Sequence, residues 1–194
     1  MARLRSLCVY CGSSSRVDPA FKEGAAELGR QLAAKDISLV FGGGRVGLMG
    51  IIADAALAAG GKVIGVIPRH LDREEVGHRG IAELHVVETM HERKALMFQL
   101  SDAFAVLPGG LGTLDETFEM VTWRQLNLHD RPIVLVNQNG YWSPLLTLLH
   151  GIADAGFAQR GLFELFTMVN RVDEVIPTIR ALPEPAIPAQ PDKV

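Results

Sequence analysis

The sequence predicts a single-domain α/β protein, an open parallel sheet with helices on both faces. Three observations carry that expectation. Short apolar runs of strand length alternate along 194 residues with longer segments whose apolar residues recur at helical spacing. Two of those runs open directly into glycine-rich turns that lead to helix-forming residues. Hydrophobic residues make up 48% of the chain, enough for one well-buried core at this length. Alternation of this kind implies right-handed crossovers between parallel strands.

The elements follow in order. Residues 7–11 form an apolar strand that runs into Gly12, Ser13, Ser14 and Ser15. Phe21, Ala25, Leu28 and Leu32 then share one face of a helix. A strand at 38–41 leads through the glycine-rich turn 42–50 into an Ala-rich helix ending at 59, and a strand follows at 63–67. A polar stretch, 69–80, precedes a strand at 84–87, a helix over 91–100 and a strand at 103–106. The second glycine-rich turn opens a helix over 114–126 on which Phe118, Val121 and Leu126 recur. A strand at 133–136, a helix over 144–155 and a last helix near 172–181 complete the pattern. From Pro183 the chain is proline-rich and polar, so we expect one domain over 1–182 and a disordered tail over 183–194.

Composition excludes several function classes. The net charge is −3 and the 19 basic residues are dispersed, which argues against a nucleic-acid partner. No apolar run approaches the roughly 20 residues that span a bilayer, so no membrane partner is expected. The apolar stretch behind Arg3 and Arg5 is too short for a signal-peptide core, and a cytoplasmic location is the simplest expectation. Cys8 and Cys11 form a C-x-x-C, but residues three apart in a strand point to opposite faces. They read as two reduced structural thiols, and with no H-x-x-x-H pair no metal is expected.

The chemistry concentrates at 108–116, Pro-Gly-Gly-Leu-Gly-Thr-Leu-Asp-Glu. Gly109, Gly110 and Gly112 let a ligand approach the backbone, and the helix that follows directs free N–H groups and its positive dipole end at the same place. That geometry suits a phosphate. Asp115 and Glu116 then fall in the expected first turn, where a loop that only held phosphate would gain nothing electrostatic from them. The same residues admit a structural reading, because Thr113 with Glu116 three positions later is also a capping box.

Gly42, Gly44 and Gly47 match the dinucleotide pattern G-x-G-x-x-G. The next strand ends in Pro68-Arg69-His70, not in the acidic residue that holds a ribose, which disfavours NAD and leaves NADP through Arg69 as a thin alternative. No G-K-[ST] is present, so no P-loop kinase or ATPase is expected. Arg93 and Lys94 sit near the start of a helix, where cations oppose the dipole. A nearby anion would offset that cost, since an Arg fork can grip phosphate or a purine edge. In a parallel sheet all these loops gather at the carboxyl edge of the strands.

Together these segments resemble the Lonely Guy family, often labelled lysine decarboxylases. The resemblance rests on Cys11-Gly12-Ser13, the turn 42–50, the strand 63–68, Met90-His91-Glu92-Arg93-Lys94, the motif at 108–116, and Thr122-Trp123 with Gln125-Leu126. It implies a Rossmann-like fold and a phosphoribohydrolase that cleaves AMP or N6-modified AMP to free base and ribose 5-phosphate, without a cofactor and as a homodimer. It places phosphate and ribose binding on Gly109, Gly110, Leu111, Gly112 and Thr113, and the catalytic pair on Arg93 and Glu116. Further substrate contacts are implied at Gly12, Ser13, Gly43, Glu75, Lys94 and Thr122. Leu111 stands where plant members commonly have Tyr, and Asp115 where Glu is common. Glu119, one turn beyond Glu116, is a second candidate carboxylate. A pyridoxal-dependent decarboxylase would need a Schiff-base lysine, for which only Lys94 is placed. The alternative from another class is a non-catalytic nucleotide or cofactor carrier, such as a molybdenum-cofactor carrier, which needs the glycine loops but not the Arg93–Glu116 pair.

Overall fold

Runs rich in Val, Ile, Leu and Phe form seven strands: β1 (Ser6–Tyr10), β2 (Ser38–Phe41), β3 (Val63–Pro68), β4 (Glu83–Val87), β5 (Ala103–Val106), β6 (Ile133–Val136) and β7 (Thr167–Val169). The structure, a computed structural model, describes residues 4–72, 77–78, 80–81 and 83–187. The strands pair in parallel in the order β4-β3-β2-β1-β5-β6-β7. The order reverses between β1 and β5, and at such a switch point neighbouring loops diverge to opposite faces and leave a crevice.

Among the described residues six α-helices connect the strands, α1 (Pro19–Ala34), α2 (Gly47–Ala58), the single turn α3 (Arg69–Asp72), α4 (Met90–Gln99), α5 (Leu111–Gln125) and α6 (Ser143–Asp154), and a seventh, α7 (Val175–Ala181), follows β7. The two faces of the sheet carry separate cores. Leu28 and Leu32 of α1, Leu48 and Ile52 of α2, and Ile176 of α7 pack against Leu7, Val9 and Phe41 on one side. Met97 and Phe98 of α4, Met120 and Trp123 of α5, and Leu149 of α6 pack against Tyr10, Phe104 and Leu135 on the other. Strand residues alternate between the cores, as the two-residue period of a strand requires. Cys8 faces the second core and Cys11 the first, and both are free and buried.

The expected architecture is the observed one, with two differences. β7 and α3 do not stand out in the sequence. Thr167–Val169 is only three residues long, too short for a periodic signal, and it is a strand because Val134, Leu135 and Val136 offer it a parallel edge. Of the expected tail, residues 183–187 are described, and the N–H groups of Ala186 and Ile187 donate to the Asp130 carboxylate at 2.6 and 3.1 Å. Residues 188–194 lie outside the described residues.

His129 is buried against the aromatic residues of the second core. The Nε2–H of His129 donates to the Met120 carbonyl at 3.0 Å, its Nδ1 accepts from the Arg131 N–H at 3.1 Å, and its ring packs on Phe98. These partners fix the neutral tautomer. Burial pushes the His129 pKa down from 6.5 to about 4. Between those pH values the unfolded chain takes up a proton that the folded chain refuses, so stability falls as pH drops through that window. The loss attributable to this group is on the order of 3 kcal/mol. Urea unfolding at pH 7 and pH 4 should show it, and His129→Gln, which keeps a donor for Met120, should remove most of that difference.

Candidate active site

Three loops meet at the carboxyl edge of β1, β2 and β5. The Gly12 N–H donates to the Pro108 carbonyl at 3.1 Å, and the Leu48 N–H donates to the Gly12 carbonyl at 2.9 Å, so the three loops are tied by backbone bonds. Gly47 adopts φ +67°, and a Cβ there would lie 2.3 Å from the Ser13 carbonyl carbon. In the crevice at the switch point is a cavity of about 270 Å³ lined by Gly12, Ser13, Phe21, Pro108, Gly110 and Tyr141, among others.

The helix beyond β5 starts earlier than the sequence suggests. Its N-cap is Gly110 and its first residue Leu111, three positions before the expected start. Thr113 is therefore no cap: it is buried inside the first turn, and its carbonyl accepts from the Thr117 hydroxyl at 2.6 Å. The first turn holds no acidic residue, so Asp115 and Glu116 belong to the second. The capping-box reading of Thr113 and Glu116 fails with it. Glycines at 110 and 112 weaken helix propensity by about 1 kcal/mol each, which is why a local rule starts the helix after them.

Those two glycines also differ from Gly109. A Cβ at Gly110 or Gly112 would meet nothing within 4 Å, whereas one at Gly109 would lie 2.1 Å from the Thr113 hydroxyl. The fold needs a glycine at 109, but at 110 and 112 it leaves open room beside the helix end. The first bond returned to this turn runs from the Leu114 N–H to the Gly110 carbonyl at 3.0 Å. The amides before Leu114 are the ordinary orphan donors of a helix start.

Glu116 points back under the turn into a buried ion pair. The Arg93 Nη1 lies 2.9 Å from its Oε1, with side chains only 10% and 8% exposed. Arg93 comes from α4 and is anchored a second time, its Nε–H donating to the Val66 carbonyl at 3.2 Å. Gly42 makes room for it, since a Cβ there would fall 2.0 Å from the Arg93 Nη2. Burial raises the Glu116 pKa above the ordinary carboxylate range; Asp115 adds to this, and Arg93 and Lys94 oppose it without cancelling it.

Lys94, the neighbour of Arg93, bridges α4 to α5. Its Nζ lies 3.2 Å from Asp115 Oδ2 and 3.1 Å from Glu119 Oε1. Burial alone would lower the Lys94 pKa, but the bonds to Glu119 and Asp115 outweigh it and hold the ammonium above its usual value.

The other expected residues are placed as follows. Gly43 adopts φ +71° and its carbonyl accepts from the His78 N–H at 2.8 Å. Leu111 is 86% exposed at the tip of α5. Thr122 is exposed and, six residues on from Glu116, lies about 120° around the helix from it. Glu75 lies outside the described residues. Arg69 is paired with Glu88 at 2.6 Å at the surface. Among the described residues no group of three His, Cys, Asp or Glu could hold a metal, and no helix is long and apolar enough to cross a membrane. Sequence reasoning missed Tyr141, whose hydroxyl donates to the Gly109 carbonyl at 2.6 Å. Nothing local marks it; only the pairing of β6 with β5 brings its loop there.

Comparison with known proteins shows the family to which the chain belongs. A family described as "Possible lysine decarboxylase" matches residues 49–179. A cytokinin riboside 5'-monophosphate phosphoribohydrolase from Rhodococcoides fascians is 43% identical over 91% of this chain and 90% of its own length. One from Arabidopsis thaliana is 46% identical over 80% of this chain and 72% of its own. The chain belongs to the Lonely Guy family. Both Arg93 and Glu116 fall inside the stretch that the family match covers. Among solved structures, the molybdenum cofactor binding protein of Rippkaea orientalis superposes with a TM-score of 0.70 at 20% identity, covering 92% of this chain and 97% of that one. The molybdenum cofactor carrier of Chlamydomonas reinhardtii gives 0.70 at 22% over the same shares. At such identities the likeness is one of fold.

The glycines of the site separate into two kinds that mutation distinguishes. Gly42→Ala pushes Arg93 off a buried carboxylate and should lower the unfolding free energy by about 3 kcal/mol. Gly112→Ala enters open space within a helix and should raise it by up to about 1 kcal/mol. Chemical denaturation of the two variants checks both signs.

Proposed function

We propose that this chain hydrolyses the N-glycosidic bond of nucleoside 5'-monophosphates, AMP and N6-substituted AMP of the cytokinin type, to free base and ribose 5-phosphate. The observation that carries this reading is a buried Glu116–Arg93 pair directly behind a helix start where Gly110 and Gly112 leave open room. The family relatives named above support the same substrate class.

In this reading the 5'-phosphate sits on the amides of Gly109, Gly110, Leu111, Gly112 and Thr113, favoured by the α5 dipole. Gly12, Ser13 and Gly43 line the adjoining loops. Water attacks C1' of the ribose, the C1'–N bond breaks, and the base departs with its electron pair and takes up a proton. Positive charge grows on the ribose ring as that bond lengthens. Glu116 opposes that charge and orients the water, accepting its proton. With Oε1 held by Arg93, the other carboxylate oxygen is the one turned to substrate. Arg93 is already bound at Nη1 and Nε, so its main task is to hold Glu116, not to grip phosphate. Lys94 supports the same helix through Asp115 and Glu119, and Glu75 and Thr122 complete the substrate contacts. No cofactor is required.

A pyridoxal mechanism fits Lys94 poorly. A Schiff-base lysine needs a depressed pKa so that its amine is free, and two carboxylates hold Lys94 the other way. We further infer a cytoplasmic homodimer. In support, both thiols are unbridged, and Leu148 of α6 (57% exposed) and the large apolar Leu126 (62%) and Phe157 (88%) stand in solvent on the monomer.

Purified protein incubated with AMP should release adenine and ribose 5-phosphate, read by chromatography. Adenosine should react with kcat/KM lower by at least ~10², since it forfeits several charge-assisted bonds of roughly 1.5–3 kcal/mol each. Equal efficiency on both would remove the phosphate from the site.

Glu116→Gln keeps size and a hydrogen bond to Arg93 but no charge. The folded variant should lose at least ~10² in kcat while AMP binding persists. In the unaltered protein the ionised carboxylate is the active form and its pKa is raised. Activity should therefore fall with decreasing pH from above the 4.5 of an ordinary glutamate, a limb read from kcat/KM against pH.

A further inference from the structure

The anion site proposed above is built on a Gly109–Gly110 peptide, the most easily rotated kind of link in a chain. Without Cβ atoms on either side, sterics alone leave its orientation weakly determined. The structure contains one side chain that fixes it. Tyr141 reaches over from the loop after β6, and its hydroxyl donates to the Gly109 carbonyl at 2.6 Å. The ring is itself held, edge-on against Phe21 at 5.5 Å and Trp142 at 4.8 Å between centroids. Trp142 is buried, and its backbone N–H donates to the Asn137 side-chain carbonyl at 2.7 Å, so the loop that carries Tyr141 is anchored to the end of β6.

A trans peptide is planar, so the carbonyl of Gly109 and the N–H of Gly110 point in opposite directions. Holding the carbonyl toward Tyr141 therefore turns the Gly110 N–H away from it. Gly110 is the N-cap of α5, at the open helix end. We propose that Tyr141 is a positioning residue that presets the Gly110 amide for the substrate's phosphate. The inference rests on the phosphate placement proposed above. Tyr141 touches no reacting atom in this scheme; it spares the bound state the cost of ordering the peptide.

Tyr141→Phe removes the hydroxyl and keeps both ring contacts, so the fold should survive with little change in melting temperature. The variant should raise KM for AMP about 10-fold and leave kcat within about 3-fold. The inhibition constant of inorganic phosphate should rise by a similar factor, and the residual turnover of adenosine should be unchanged. A merely structural role would impair AMP and adenosine alike, and that result would overturn the inference. Unchanged KM for AMP together with an unchanged phosphate constant would overturn it too. If the unaltered protein releases no adenine from AMP, the proposed reaction fails on its own. Direct titration of phosphate into both proteins then decides the inference: weaker binding by the variant supports it, and equal or absent binding overturns it.

Discussion

Taking a guanidinium and a carboxylate out of water costs several kcal/mol per ion, and Arg93 and Glu116 are both more than nine-tenths buried. Much of the site's backbone answers that cost. Val66 within β3 turns its carbonyl to the Arg93 Nε, Gly42 forgoes a side chain so the guanidinium can pass, and α5 begins early enough to bring Glu116 opposite it. Arg93 also lies in the N-terminal half of α4, where the dipole opposes a cation. A pair held against so many unfavourable terms is weak evidence of stability, because an apolar pair of similar volume would serve the core as well. It is better evidence of chemistry. Desolvation leaves Glu116 with a raised pKa and a fixed geometry, the properties wanted of a group that handles a proton and faces a growing positive charge.

The glycines divide by what they make room for. Gly42 yields to Arg93, Gly47 to the Ser13 backbone and Gly109 to Thr113, all of them inside the protein. Two of the three glycines of the G-x-G-x-x-G pattern, Gly42 and Gly47, are thus accounted for by packing inside the protein. Gly110 and Gly112 yield to nothing in the protein. Gly112 is kept inside α5 at a cost of about 1 kcal/mol although a side chain there would meet open space. The proposed anion site lies at the start of α5, and the buried pair joins α5 to α4.

The same sheet serves molybdenum-cofactor proteins at about one-fifth identity, so architecture alone says little of activity. The crevice between β1 and β5 is common to any such sheet, as strand order dictates. The proposed reaction rests on the side chains that α4 and α5 bring under it. Lys94, joined to Asp115 and Glu119, keeps those two helices in register around the pair.

The sequence by itself determined the sheet, six of its seven strands, the carboxyl-edge loops and the pair of residues that carry charge to them, Arg93 and Glu116. It could do so because buried strands are apolar runs, helices repeat at 3.6 residues, and glycine-rich turns mark the junctions, all of them signals within a few residues. Tertiary structure alone decided the rest. α5 starts at Leu111 because packing overrides glycine's local propensity, and that shift takes Glu116 from an apparent cap to a buried ion pair. β7 exists because β6 offers it an edge. Lys94 meets Asp115 and Glu119, and Tyr141 meets Gly109, across separations of 21 to 32 residues that no local rule can span. Periodicity reports which face a residue occupies; only the order of strands in the sheet reports what it will find there.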